Sequence, residues 1–127
     1  MAFRVEIAPR AFNDLDDIAD YIKRNRSLRQ AEEWFNGTVE AIRTLGDMPG
    51  RCPVADESED LGQEVRVLLH GKRNRKYKIY FSIERTGRSA GRVFIFHVRH
   101  WARKRLTTHE VRALMDEVPR KGESNGD

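Results

Sequence analysis

The spacing of apolar residues changes along the chain, and the order of these changes is the feature that most limits its fold. Phe3, Val5 and Ile7 alternate with polar residues, which is the period of a strand with one buried face. Two stripes with helical spacing follow, and three strand-like runs then occupy residues 64–70, 76–84 and 92–100. Short glycine-containing connections join these runs, which favours antiparallel hairpins. The chain is therefore predicted to be α+β, in the order β-α-α-β-β-β.

The two helical stripes predict an antiparallel hairpin that packs on one face of the sheet. Pro9 is typical of a first helical turn, and a capping-box pair, Ser27 with Gln30, precedes the second helix. Gly46 and Pro49 end that helix. The first stripe consists of Phe12, Leu15, Ile18, Ala19 and Ile22, and the second of Ala31, Trp34, Phe35, Thr38, Ala41, Ile42 and Leu45. We expect Trp34 to lie in the core rather than to stack on a ligand.

The remaining segments complete the expected domain. Residues 50–62 are polar and have no apolar period, so no structure is predicted there. Thr107 and Glu110 form a second capping-box signal ahead of a short apolar stripe that ends at Pro119, which predicts a short C-terminal helix. We expect residues 1–118 to form one domain and residues 119–127 to be a disordered tail.

The alternation within the strand-like runs predicts which sheet face stays open. One face should pack on the helices, and the other should present Arg66, His70, Lys78 and Tyr80, a basic surface that includes an aromatic ring. The third run is apolar on both faces, so we expect it to be the central and most buried strand.

Charge is divided unevenly along the chain. Residues 1–62 contain 8 Lys and Arg against 13 Asp and Glu, residues 63–106 contain 13 against 2, and residues 107–127 contain 3 against 5. The middle segment therefore has a net charge of +11, whereas the segments on either side are at −5 and −2. Because this density of positive charge repels itself, a polyanion or an acidic protein is the expected partner.

Several classes of protein are not expected from the composition. The single cysteine, Cys52, cannot form an intramolecular disulfide, and no secretion signal is evident at the N-terminus. No apolar run approaches the ~20 residues of a membrane span. The acids between Asp14 and Asp20 spread around a helix without Cys or His, so no metal or other cofactor is expected. We expect a soluble cytoplasmic protein.

The chain resembles the RelE/ParE superfamily of toxins from type II toxin–antitoxin systems, from Phe3 to about Arg105. The resemblance is carried by the N-terminal segment FRVEIAPRAFNDLDDIADYI, the helix end AIRTLGDMPG, and the strands EVRVLL, YKIYFSI and VFIFHVRH, in that order. It implies a cognate antitoxin as partner and one of two activities. RelE-like members are metal-independent, ribosome-dependent messenger RNA endonucleases, whereas ParE-like members inhibit DNA gyrase without chemistry of their own.

The endonuclease interpretation, which we expect first, implies a set of site residues. Arg66 and Lys78 match the family's basic positions on two strands, His100 is the expected acid/base, and Arg103 supplies a further positive charge. The residues expected to bind substrate are Arg73, Arg75, Lys76, Tyr80, Arg99 and Trp101. Two departures favour the gyrase alternative: Leu68 replaces a second basic residue, and Trp101 cannot act as an acidic hydroxyl.

Overall fold

The computed structural model describes residues 2–58, 64–72, 75–88, 90–103 and 106–116. The elements are β1 (Phe3–Ile7), α1 (Pro9–Asn25), α2 (Leu28–Arg43), β2 (Arg66–His70), β3 (Tyr77–Arg85), β4 (Gly91–His100) and α3 (Thr108–Met115). The predicted order of strands and helices is therefore confirmed. The expectations for Arg73, Pro119 and the 119–127 tail fall outside the described residues.

The four strands form one sheet in the order β1-β4-β3-β2. β3 pairs antiparallel with both β2 and β4, as the short hairpins predict, and β4 lies inside the sheet. β1 pairs parallel with β4, with Val5 opposite Val93. This parallel pair was not predicted, because the spacing of apolar residues in β1 carries no information about a partner so distant in sequence. Arg92 fastens the arrangement, since its guanidinium contacts Glu6 at 3.0 Å and Glu84 at 3.3 Å.

The helical hairpin covers one face of the sheet. α1 begins at Pro9 and buries Ala11 and Leu15, and Phe12, which was expected on the buried stripe, is 44% exposed. The Ser27 hydroxyl oxygen accepts a hydrogen bond from the Gln30 N–H at 3.1 Å, an N-cap interaction that stabilises α2 by about 1 kcal/mol. The main core lies between these helices and the sheet and includes Leu15, Ile42, Leu45, Ile79, Phe81, Val93 and Ile95.

The second face of the sheet is also covered, which corrects the prediction of an open basic face. A smaller core packs there around Tyr80 and Phe96. It is closed by Ala55, Val65, Leu106 and Leu114, so the loop before β2 and helix α3 both lie on this face. The buried Glu57 carboxylate fastens the cover, because Oε2 accepts from the Tyr80 hydroxyl at 3.1 Å and from the Leu106 N–H at 3.2 Å. Thr107 and Glu110 form the predicted capping box of α3.

The loop between α2 and β2 is ordered where it is described, so the expectation of no structure after residue 50 is wrong there. Short 3-10 turns span Thr44–Gly46 and Pro49–Arg51. The Arg51 guanidinium donates to the carbonyls of Thr44, Asp47 and Met48, and to the Thr44 hydroxyl at 2.9 Å. The Ser58 hydroxyl donates to the Val65 carbonyl and accepts from the Val65 N–H, both at 2.7 Å. Side chains thus replace a regular element in holding this loop.

Two hairpins require glycine where they turn. Gly71 has φ +122° and Gly91 has φ +150°. A Cβ atom at Gly71 would lie 2.2 Å from the Arg75 carbonyl oxygen, and one at Gly91 would lie 2.0 Å from that of Glu84. Any larger residue would therefore force the β2–β3 or the β3–β4 connection to open.

Candidate functional site

A groove of about 1080 Å³ lies at the end of the sheet where β3 begins and β4 ends. The last turns of α1, the first turns of α2 and the β2–β3 turn form its walls. We call it the helix–sheet groove. Its lining includes Asp14, Arg26, Trp34, Arg75, Tyr77, Arg99, His100 and Arg103.

The groove exists because β1 is shorter than the strand it pairs with. β1 ends at Ile7 opposite Ile95, while β4 continues to His100. The chain leaves the sheet when the Ala8 N–H bonds the Ile95 carbonyl at 2.8 Å and Pro9 begins α1. The second half of β4 therefore has a helix rather than a strand on that side.

Asp14 of α1 occupies the strand edge left by β1. Its Oδ2 accepts a hydrogen bond from the Val98 N–H at 3.0 Å and lies 2.8 Å from His97 Nδ1. Both side chains are mostly buried, with 20% of Asp14 and 14% of His97 exposed. The carboxylate satisfies a backbone donor that would otherwise face the groove, and it holds the His97 ring against Tyr80 at 5.9 Å between ring centroids.

Aromatic rings form one wall of the groove. Tyr77 meets Trp34 edge-to-face at 5.2 Å and His100 edge-to-face at 5.3 Å. Burial, and secondarily the nearby Tyr21, raise the pKa of Tyr77 although Arg75 and Arg26 oppose them, so the phenol stays neutral near pH 7. Trp101 follows His100 with its ring 6.4 Å away and is 42% exposed. Tyr77 is 8% exposed and belongs to the main core, so the half-buried rings of Trp34 and His100 supply the aromatic surface that a partner can reach in the groove.

Both signs of charge border the groove, with more cations than acids. The cations are Arg26, Lys72, Arg75, Arg99 and Arg103, and the acids are Asp14, Asp17, Glu33 and Glu110. An amphipathic partner with acidic side chains matches this combination of cations and aromatic rings. Within the described part of the chain, no three His, Cys, Asp or Glu side chains are arranged so that they could hold a metal ion. No helix described in the structure is long and apolar enough to cross a membrane.

The family model of the ParE toxin of type II toxin–antitoxin systems, parDE, matches residues 5–105. The chain belongs to the ParE toxin family. A solved structure from the chromosomal ParDE toxin–antitoxin system of P. aeruginosa is similar in fold, with a TM-score of 0.60 and 18% identity over 77% of this chain and 95% of that one. No curated protein matches the sequence. Helix α3 lies beyond the residues matched by the ParE model.

This ParE-family structure brings part of the predicted site together. His100, Arg103, Arg75 and Arg99 all line the helix–sheet groove. Trp101 is next to His100, and the backbone N–H of Trp101 donates to the Lys76 carbonyl at 2.9 Å. Arg73 lies outside the described residues. The groove therefore contains the expected histidine with three of the expected cations.

Arg66 lies elsewhere and has a structural role in the described fold. It pairs with Phe81 in the register, so its side chain shares the helix-covered face. Its guanidinium donates to the carbonyls of Gly50 and Cys52 and forms an ion pair with Glu64 at 2.8 Å. Only 17% of the side chain is exposed. Arg66 therefore fastens the loop before β2 to the sheet.

Lys78 and Tyr80 lie on the opposite face from Arg66. Lys78 pairs with Leu69 of β2 and with Arg99 of β4. It is adjacent in sequence to Ile79, which lies on the Arg66 face, so the side chain of Lys78 lies on the other face. Tyr80 is 2% exposed, and burial raises the pKa of its phenol, assisted by the charge of Glu57 and by the hydrogen bond to it. The prediction that Arg66, Lys78 and Tyr80 share an open surface is therefore wrong.

Asp14, Trp34 and Tyr77 were missed as groove residues by sequence reasoning. The sequence predicts Asp14 only as one of several acids spread around α1, and it predicts Trp34 in the core, against which Trp34 does pack while it also lines the groove. A signal for Asp14 is present in the sequence, because it precedes Ile18 by four positions and so projects from the same stripe of α1 as that half-buried side chain. Only the strand register places Tyr77 beside His100.

Proposed function

We propose that this toxin acts by binding and inhibiting DNA gyrase, without catalysing a reaction of its own. Membership of the ParE family supports this choice over the endonuclease that we expected first. The observation that carries the proposal is the register that places Arg66 and Lys78 on opposite faces of the sheet. A site that cleaves RNA needs cations that converge on one phosphoryl group as negative charge develops, and these two side chains diverge.

A supercoiling assay tests the proposal. Purified DNA gyrase is incubated with relaxed plasmid, ATP and increasing amounts of the toxin, and supercoiled product is measured on a gel. We expect product to fall as the toxin approaches the enzyme concentration, and to recover when the cognate antitoxin is added first. If gyrase supercoils at its normal rate in stoichiometric excess of the toxin, the proposal is wrong.

Cleavage of messenger RNA on the ribosome is the second candidate. It is favoured by one observation, the presence of His100, Arg75 and Arg103 in a single groove. In that case translating ribosomes treated with the toxin should yield new message ends, and His100→Ala should abolish them. Intact messages under conditions in which the toxin still arrests growth would exclude this candidate.

We further propose that the helix–sheet groove receives an acidic, amphipathic segment of the antitoxin. The cations of the groove would meet acidic side chains of the segment, and the half-buried rings of Trp34 and His100 would pack against its apolar side chains. Both candidate targets, gyrase and the ribosome, are cytoplasmic in bacteria. The proposed site of action is therefore the cytoplasm.

A further inference from the structure

Met48 combines two features that folding alone does not explain. Its backbone has φ +47° and ψ 56°, the left-handed region, and it is the one non-glycine residue with positive φ among the described residues. Its side chain is 77% exposed, which is the largest exposure among the large apolar side chains described. Glycine or asparagine would adopt this conformation at lower cost and expose no apolar surface.

The surrounding loop holds Met48 in place rigidly. Leu45, Pro49 and Cys52 are buried on either side of it and anchor the loop to the main core. The Arg51 guanidinium donates hydrogen bonds within the same turn, at 2.7 Å to the Asp47 carbonyl and at 3.3 Å to the Met48 carbonyl. An exposed apolar side chain on a preorganised support is the arrangement of a binding anchor.

Met48 lies at the opposite end of the molecule from the helix–sheet groove. The groove contacts the first turns of α2, at Gln30 and Trp34, whereas Met48 follows the last turn of that 16-residue helix. At 1.5 Å per residue the helix separates the two ends by about 24 Å. Gly50, two residues beyond Met48, lies near Arg85 at the far end of β3, while Tyr77 at the near end lines the groove. A partner segment in the groove would leave Met48 uncovered.

The turn that carries Met48 presents an apolar side chain beside an acid, which fits a protein partner better than a nucleic acid. The one cation within the turn, Arg51, is engaged with backbone carbonyls, and the exposed neighbour of Met48 is an acid, Asp47. An apolar side chain flanked by a carboxylate is complementary to an apolar pocket bordered by cations. An enzyme that binds and wraps DNA carries basic surfaces.

We infer that Met48 is an anchor that inserts into an apolar pocket of DNA gyrase, separate from the surface that receives the antitoxin. This inference rests on the proposed inhibition of gyrase. It predicts that inhibition depends on the apolar side chain at position 48 and that folding does not.

The test compares three variants with the unmodified toxin in the supercoiling assay. Met48→Asn removes the apolar side chain but suits the left-handed backbone, Met48→Leu keeps an apolar side chain, and Leu28→Gln removes another exposed apolar side chain, 55% exposed, at the first residue of α2. We expect the half-inhibitory concentration to rise about tenfold or more for Met48→Asn, as at an interface anchor. We expect it to change less than about twofold for Met48→Leu and Leu28→Gln.

A thermal melt separates loss of binding from loss of folding. Met48→Asn should melt at the same temperature as the unmodified toxin or a few degrees above it, because it relieves the backbone strain. If the unmodified toxin inhibits gyrase and Met48→Asn inhibits it equally, the anchor is wrong while the proposed function stands. If the unmodified toxin does not inhibit gyrase, both fail. Sedimentation that shows a dimer which Met48→Asn dissociates would assign the side chain to self-association and overturn the inference.

Discussion

At the scale of single residues, Asp14 accepts a backbone hydrogen bond from β4 beyond the point where β1 ends. It bonds a backbone N–H of β4 and the ring of His97, both in a mostly buried setting. Asp14→Ala leaves these donors without their partner, so we expect the free energy of unfolding to fall by about 1–3 kcal/mol. Urea denaturation followed by circular dichroism measures this difference.

Asp16→Ala is the matched control for Asp14→Ala. Asp16 belongs to the same acidic run, but its side chain is exposed. We expect the control to change the free energy of unfolding by less than about 0.5 kcal/mol. Equal losses for the two variants would show that the contacts of Asp14 contribute nothing to stability.

Individual residues also show which kinds of contact could be predicted from the sequence. The cap at Ser27 and the capping box at Thr107 were predictable, because both are local patterns of side chain and backbone. Arg66 was expected in the endonuclease site, and its guanidinium binds the carbonyls of Gly50 and Cys52 instead. Those carbonyls lie 16 and 14 residues away, respectively, and no local sequence pattern predicts that a cation will bind its own backbone.

At the scale of elements, helix α3 depends on Glu57 for its attachment to the sheet. Glu57 bonds the Leu106 N–H, immediately before the helix, and the Tyr80 hydroxyl of β3. Glu57→Ala should therefore detach α3 while the sheet remains folded. We expect the amides of residues 111–115 to exchange with deuterium about tenfold faster or more, with a smaller change in β4, in a hydrogen-exchange measurement.

Exposed Glu32 on α2 provides the control for the detachment of α3. Glu32→Ala should leave exchange in α3 unchanged. Faster exchange throughout the protein in Glu57→Ala would mean that the carboxylate supports the whole fold rather than the attachment of one helix.

Strand β2 should make stability depend on pH through His70. Burial lowers the pKa of His70 from its ordinary value of 6.5, so the unfolded chain binds a proton more readily than the folded one. Its contribution to stability is therefore present above about pH 6.5 and is lost as the pH falls below that value, towards the lowered pKa of the folded state. The free energy of unfolding measured from pH 7.5 to 5 should decline more steeply for the unmodified protein than for His70→Gln. Parallel curves would show that His70 does not contribute.

The type and order of the elements could be predicted from the sequence. Which side chains of neighbouring strands share a face of the sheet could not. Alternation places Arg66, Leu68 and His70 on one side of β2, but it does not say which residues of β3 share that side. The register pairs Leu68 with Ile79 and Val67 with Tyr80, so even-numbered residues of β2 lie with odd-numbered residues of β3. The register between β3 and β4 also shifts between Tyr80 and Phe81, so the alternation of side chains between the two faces changes at that point along β4. One residue of register decides which side chains share a surface, and hydrophobic spacing does not fix it.

At the scale of the whole molecule, the basic segment predicts how partner binding responds to salt. Residues 63–106 have a net charge of +11, and Arg75, Arg99 and Arg103 of this segment line the groove. Binding of the cognate antitoxin should weaken as the ionic strength rises. Titration calorimetry should show the dissociation constant increasing about tenfold or more between about 50 and about 500 mM salt. An affinity that does not change with salt would exclude an electrostatic dock in the groove.

The pairing of β1 with β4 also determines how much of the chain must be synthesised before the sheet can form. The Glu6–Arg92 contact joins residues 86 positions apart. β1 therefore cannot pair with β4 until residues beyond position 92 have been synthesised. Contacts this distant in sequence form late and slowly. We therefore expect a nascent chain that has not yet been synthesised past β4 to lack a finished sheet and to be inactive.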